Sequence, residues 1–419
     1  MIRIHPFAAL RPPGSLAADV ASDPYDVIST EEARERAAGK AHSFLHVVRS
    51  EIDLAPEVDC HDPEVYRVAD RNLQSMIEEG TLVRESKPTV YLYRQVMGGK
   101  AQLGLVCCVE VAQYRTGDIR KHEKTRPDKE DDRTRHLLAT SCHAEPVFLC
   151  FRDRAIAGST IAARMQADTA TRPVFHFTAA DGVTHTGWKV EDPAPYVAAF
   201  GELDRIYIAD GHHRSAGADR AAAAAAAAMP DAGPDAEFGR FLAVLFPHDE
   251  LRILPYNRVV KDLNGLSTDQ FLERLRGVGT VKPAAAGTPA KRGEVFVFVG
   301  GTWWSLEFPE GSIDRNDPIA SLDVALLQDR VLAPILAIGD PRTDPRIEFV
   351  GGIRGCAELE RRAGTSGVAF SMHATSADEL LAVADANEIM PPKSTWFEPK
   401  LRSGLFVHEF ERVPETAMV

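Results

Sequence analysis

The 419 residues are 44% hydrophobic and 26% charged, the make-up of an ordinary globular protein of one to three domains. A formal net charge of −13 is the wrong sign for gripping nucleic-acid phosphates, which excludes nucleic acid as the expected main partner. No stretch approaches the roughly 20 apolar residues of a membrane span, and "MIRIHPFAALRPPGS" holds no apolar run of signal-peptide length, so a cytoplasmic protein with no membrane partner is expected.

In chain order, Ser29 or Thr30 caps a helix over "EEARERAAG", and "SFLHVV" reads as a strand. Residues 62–80 carry helical periodicity and stop at Gly80. "TVYLYRQ" and "QLGLVCCVEVAQY" form a hairpin around Gly98-Gly99, followed by the polar tract "RTGDIRKHEKTRPDKEDDRTRH". Strands follow at "PVFLCF", "PVFHFTA", "RIYIAD" and "FLAVLFP". A helix with the alanine run Ala221–Ala228 lies between the last two and ends before Pro230. The last third reads as helix "LSTDQFLERLRG", strand pair "GEVFVFVGGTWWSLEF", helix "SLDVALLQDRVLAPIL", strand "VAFSMHATS", helix "ADELLAVADANEI", and a closing loop and strand from "MPPKSTWFEPKL". The expected fold class is α+β (mixed α/β), in segments 1–145, 146–260 and 261–419.

The six cysteines make no CxxC pair and read as buried, reduced thiols, with no zinc site at Cys142 and His143. "FVGGIRG" lacks GxGxxG, and Lys393-Ser394-Thr395 lacks a preceding GxxxxG, so neither a Rossmann nor a Walker loop is present. His373 reads as a packed strand residue.

The most informative stretch is "RIYIADGHHRSAGA", Arg205–Ala218. Gly211 permits a sharp exit from the strand, and the helix that follows presents unpaired N–H groups with partial positive charge. With His212, His213 and Arg214, that turn is a natural anion cradle. Three roles are open to Asp210: orienting a histidine, holding Mg²⁺ beside a phosphate, or accepting a substrate proton. The second constellation is His122, Glu123 and Thr125, after a Gly-Asp turn. Zincin chemistry is excluded there, because Arg126 stands where HExxH needs its second histidine. Further candidates are Asn257 and Arg258 in "PYNRVV", where Arg258 can fork onto a carboxylate, and Lys393 with Lys400 as possible anion contacts.

The string "IADGHHRSAGA" resembles the phosphate-binding motif of the ParB/sulfiredoxin superfamily. Its nearest branch by motif is the free serine kinases, which also carry Asp-Gly-His-His-Arg. Over nearly its whole length, through "PFAALRP", "PYDVIS", "SFLHVVR", "YLYRQ", "HEKT", "DGHHR", "PYNRVV" and "PPKSTWFEPKL", the chain is similar to a bacterial family of unknown function. The resemblance implies a ParB/sulfiredoxin-like nucleotide- or phosphate-binding core in the middle segment. It implies a kinase that converts free L-serine, or a similar hydroxyl compound, to its phosphate ester with Mg²⁺ and ATP, ADP or pyrophosphate. In those kinases a glutamate upstream of the string acts on the serine hydroxyl, and Glu123, with His122 beside it, is the matching residue. The alternative is a nucleotide-binding switch or adaptor of ParB type without phosphotransfer. Sulfiredoxin-like repair chemistry ranks last, since it needs a cysteine where this string has His212 and His213. Oligomeric state is not legible.

Overall fold

The computed structural model describes residues 1–156 and 158–414. They form two compact units: Met1–Leu251 together with the segment from Pro399 onward, and Arg252–Glu398. The fold is mixed α and β, as the sequence implies.

The first unit is built on a nine-stranded sheet. In chain order its strands are β1 (Ile4–His5), β2 (Tyr91–Met97), β3 (Lys100–Glu110), β4 (Ile119–Arg120), β5 (Val147–Phe151), β6 (Phe175–Thr178), β7 (Thr184–Lys189), β8 (Ile206–Asp210) and β9 (Arg240–Pro247). Their spatial order is β4-β8-β5-β9-β3-β2-β7-β6, and β1 also pairs with β3. The segments 1–145 and 146–260 therefore both supply strands to one sheet. Most pairs are antiparallel, but β8 runs parallel to β4 and β9 runs parallel to β5. The hairpin at Gly98-Gly99 forms as expected, with Met97 opposite Lys100 and both glycines at positive φ.

Alternation along these strands explains the core. Leu105, Cys107, Val109, Leu149, Ile206, Ile208, Ala243 and Leu245 point to one face and are packed together. A fully buried leucine here contributes about 2 kcal/mol. That face is covered in part by α4 (His212–Ala228), through Ala216, Ala218, Ala221, Ala222 and Ala225. The alanine run thus has a packing use. On its other side α4 lies against α3 (Pro127–Thr140). A Cβ added at Gly217 would stand 2.8 Å from the Cβ of Arg133, so the close approach of the two helices needs glycine there.

Helix α1 (Thr30–Ala37) opens with a capping box between Ser29 and Glu32. Helix α2 (Pro63–Glu78) starts on Asp62 and ends near Gly80 at positive φ. "SFLHVV" differs from expectation: Leu45–Val48 is a short helix. Phe44, Leu45, Val47 and Val48 are all buried, so an apolar run without polar alternation carried no period to read.

The second unit holds a six-stranded antiparallel sheet of β10 (Tyr256–Val260), β11 (Thr280–Pro283), β12 (Glu294–Val299), β13 (Thr302–Glu307), β14 (Ile347–Gly351) and β15 (Val368–Met372), ordered β11-β13-β12-β15-β10-β14. Helices α5 (Thr268–Arg276), α6 (Gly355–Ala363) and α7 (Ala377–Asp385) complete it. "SLDVALLQDRVLAPIL" is only five residues of α-helix, Asp323–Leu327, before widening into a π-type turn at Gln328–Leu332. The closing stretch forms only two-residue strands, Trp396–Phe397 in the second unit and His408–Glu409 in the first. No described helix is long and apolar enough to cross a membrane. Cys107, Cys108, Cys142 and Cys150 are buried free thiols as expected. Cys60 is exposed and Cys356 half-buried, so burial does not extend to all six.

Candidate functional site

Two loops meet at one edge of the first unit's sheet. Strands β4 and β8 are parallel neighbours, with Ile119 opposite Ile206 and Arg120 opposite Tyr207. Each therefore releases its chain at the same edge. After β4 come residues 121–126 and then α3, and after β8 comes Gly211 and then α4. The C-terminal ends of neighbouring parallel strands are where ligands bind in α/β sheets. The register of β8 slips between Ile208 and Asp210, a bulge that re-aims Asp210. Gly211 has φ 98° and ψ 31°, a left-handed conformation. A Cβ there would also stand 3.0 Å from Nε of Arg214. The backbone conformation favours glycine, and a side chain there would also have to push Arg214 aside.

Across these loops, the backbone N–H of His122 points to Nε2 of His212 at 3.4 Å, and the N–H of Arg126 donates to Nε2 of His213 at 3.1 Å. The His122 and His212 rings meet edge to face, 4.4 Å between centroids. Nδ1 of His212 lies 3.8 Å from Oε2 of Glu123. Because Nε2 of His212 faces a donor, its ring proton belongs on Nδ1, toward Glu123. Burial holds His212 down to about 3, with His213, Lys121 and Arg214 adding to the effect against the pull of Asp210. Burial, helped by His212, likewise holds His122 well below the ordinary histidine range. Neither ring nitrogen of His122 finds a partner of good geometry among the described residues. Both imidazoles are therefore neutral at pH 7. A neutral His212 adds no positive charge to the anion cradle expected at this turn, and its Nδ1 faces Glu123 from beyond hydrogen-bond distance.

His122, Glu123 and His212 bring their ligand atoms within 4.8 Å of one another. A divalent ion on Nδ1 of His212 would need that nitrogen deprotonated, and Nε2 would then carry a proton facing the N–H of His122. The arrangement suits proton handling better than metal binding.

Asp210 is gripped from two sides. Its Oδ1 accepts the Gly211 N–H at 2.8 Å and its Oδ2 pairs with Nζ of Lys400 at 3.0 Å. Burial works against the carboxylate. Lys400, Arg214 and the lysine hydrogen bond outweigh it and hold the group far below the usual carboxyl range. Lys400 is itself tethered, since its carbonyl accepts from Nε2 of Gln95 at 2.8 Å. The sequence placed Lys400 only among secondary anion contacts. The fold makes it the ion partner of Asp210.

Arg214 departs from its expected place. It is 8% exposed and donates to the carbonyl of Pro146, with Asp210, Asp26 and Glu145 favouring its charge. Glu145, also buried, accepts from the Tyr25 N–H at 2.9 Å and Ser403 Oγ at 3.0 Å, and pairs with Arg133 at 3.4 Å. The guanidinium of Arg133 lies 3.8 Å from the centroid of the Tyr25 ring. Arg214 is therefore an internal brace beneath the turn. Consecutive helical residues step by about 100°, so His212, His213 and Arg214 cannot all face one ligand. Thr125 is engaged as well: its hydroxyl bonds the carboxylate of Glu130 in the first turn of α3.

Asn257, Arg258 and Lys393 belong to the second unit. Oδ1 of Asn257 accepts the Met372 N–H at 3.0 Å, tying β10 to the end of β15. Nη2 of Arg258 donates to the Lys393 carbonyl at 3.1 Å.

A family model described as a protein of unknown function, DUF1015, matches residues 4–325. The chain belongs to the DUF1015 family. No curated protein matches it. Among solved structures, this DUF1015 chain is similar to free serine kinase in complex with AMP, at 15% identity over 73% of this chain and 92% of that one, with TM-score 0.35. It is similar to C-terminally truncated SbnI from Staphylococcus aureus, at 12% identity over 72% and 87%, with TM-score 0.38. A conserved hypothetical protein from Pyrococcus furiosus aligns at 16% identity over 72% and 95%, with TM-score 0.34.

Proposed function

We propose that the chain is a phosphotransferase that moves a phosphoryl group from ATP, ADP or pyrophosphate to the hydroxyl of free serine or a similar small alcohol. The observation that carries this reading is the meeting of two loops on neighbouring parallel strands. Glu123 stands 3.8 Å from Nδ1 of His212, beside the glycine turn that opens α4. Transfer to an alcohol asks for a carboxylate at the hydroxyl and for positive potential around the phosphoryl oxygens. Glu123, with Nδ1 of His212 facing it, supplies the first. The N-terminus of the seventeen-residue α4 supplies the second, with Gly211 letting the chain turn onto it. The acceptor oxygen bonds to phosphorus, its proton passes to Glu123, and the bond to the donor's bridging oxygen breaks. Asp210 and Lys400 form the floor of the turn.

Magnesium fits this donor set poorly. The two oxygens of Asp210 already take the Gly211 N–H and the Lys400 ammonium, so no step is routed through a metal held by Asp210. Lys393, Asn257 and Arg258 enter no step. The test is incubation of the protein with serine, Mg²⁺ and each donor in turn, with O-phosphoserine as the readout. Glu123→Gln is expected to lower turnover by about 10²- to 10⁴-fold with the melting temperature kept. Unchanged turnover in E123Q removes Glu123 as base. Nucleotide binding without transfer to any alcohol turns the reading to a switch or adaptor.

A further inference from the structure

The second unit contains a cavity of about 370 Å³ that the proposed reaction does not use. Its size falls within the range of small-molecule sites. Arg258, on β10, lines it and is only 3% exposed. The guanidinium gives one hydrogen bond to the Tyr256 carbonyl and one of 3.1 Å to the Lys393 carbonyl, and lies 5.5 Å from the centroid of the Phe349 ring. Among the described residues it has no carboxylate partner. Burial alone pulls it down to about 10, with only Tyr256 acting the other way. A buried cation without a counter-ion is costly, because desolvation is not offset by an opposite charge. Carbonyls satisfy part of the planar donor fork and leave the charge unneutralised.

The remaining walls are mixed. Val324, Leu332, Phe349 and Pro391 give an apolar side. Gln328 contributes a carboxamide, and Asp340 and Arg342 sit together at the lining, 3.5 Å apart and more than half exposed. Asp340 thus already has a counter-ion in Arg342, whereas Arg258 has none among the described residues. An oxyanion on Arg258 with a hydrocarbon or ring portion against Phe349 and Leu332 would satisfy both sides.

We propose that this cavity is a second ligand site, for a small organic anion whose carboxylate or phosphate pairs with Arg258 and whose apolar part packs on Phe349 and Leu332. Its residues all lie within Arg252–Glu398, so it stands or falls apart from the phosphotransfer reading.

The experiment is calorimetric titration of the full chain with phenylacetate and with phenyl phosphate, and with benzyl alcohol as the uncharged control. At least one anion is expected to show an equivalent of binding that Arg258→Gln weakens tenfold or more, with benzyl alcohol silent. Whichever anion shows it identifies the head group as carboxylate or phosphate. Gly339→Trp is the second variant, because it leaves Arg258 in place. A Cβ at Gly339 meets nothing within 4 Å, so the fold tolerates it, and an indole there obstructs the cavity that Gly339 lines. Loss of the same equivalent in R258Q and G339W, both melting as folded proteins, supports the site. Failure of both anions to bind, or binding that neither variant reduces, overturns it, as does equal binding of benzyl alcohol.

Discussion

Arg214 and Arg258 are both almost completely buried, at 8% and 3% exposure, yet their surroundings push them in opposite directions. Burial works against the charge of Arg214, but Asp210, Asp26 and Glu145 outweigh it and hold the group more firmly charged than usual. Arg258 meets carbonyls and an aromatic ring, and burial draws it down to about 10. The difference teaches how burial and neighbouring charge divide the control of a buried arginine. A buried cation with acids around it has completed its electrostatics inside the fold. One without them keeps the cost of its burial.

The contrast can be broken by truncation. We predict that Arg214→Met destabilises the protein by about 3–5 kcal/mol, because Glu145 and Asp210 lose a buried counter-charge. Urea unfolding measures it, and a loss under 1 kcal/mol would mean that Arg214 is not a brace. Lys400→Met should cost about 2 kcal/mol at pH 7, as the partly buried Asp210 keeps only Arg214 and the Gly211 N–H. The pH dependence sharpens this. The folded-state pKa of Asp210 is depressed, so its contribution is full above the unfolded value of about 3.9 and is lost as pH falls below it toward the folded value. In K400M the depression shrinks, so the difference from wild type should narrow as the pH is lowered through that window. A difference that grows in acid contradicts the ion pair.

Gly211→Ala should cost about 1–2 kcal/mol, since φ is +98° and the new methyl presses on Arg214. A neutral result would show that the turn relaxes and that Arg214 is not locked beneath it. The smallest effect belongs to Arg258→Met, about 1 kcal/mol, from two carbonyls that lose a donor. If R258M destabilised as much as R214M, the distinction between the two arginines would fail.

Much of the site was legible because its parts are local. An apolar run ending in Asp-Gly, followed by small residues, dictates strand, left-handed turn and helix, and residues 206–228 do this. The neighbouring placement of the His-Glu loop was implied only by the resemblance and not by local pattern, since it depends on β4 and β8 being parallel partners across a long stretch of chain. Lys400 is 190 residues from Asp210, a separation no local pattern spans. The inward turn of Arg214 was hidden for another reason. The sequence shows a basic string, but a helix deals successive side chains to different faces, and the buried acids claim the one that falls inward.

The claim that two loops make one site is tested most directly by titrating ADP into the protein labelled with ¹⁵N at histidine and following the amides of His122, His212 and His213. The account predicts that all three move on a single binding curve. Movement of His212 and His213 while His122 stays fixed, or no movement of any of them at saturating ADP, ATP and pyrophosphate in turn, would contradict it.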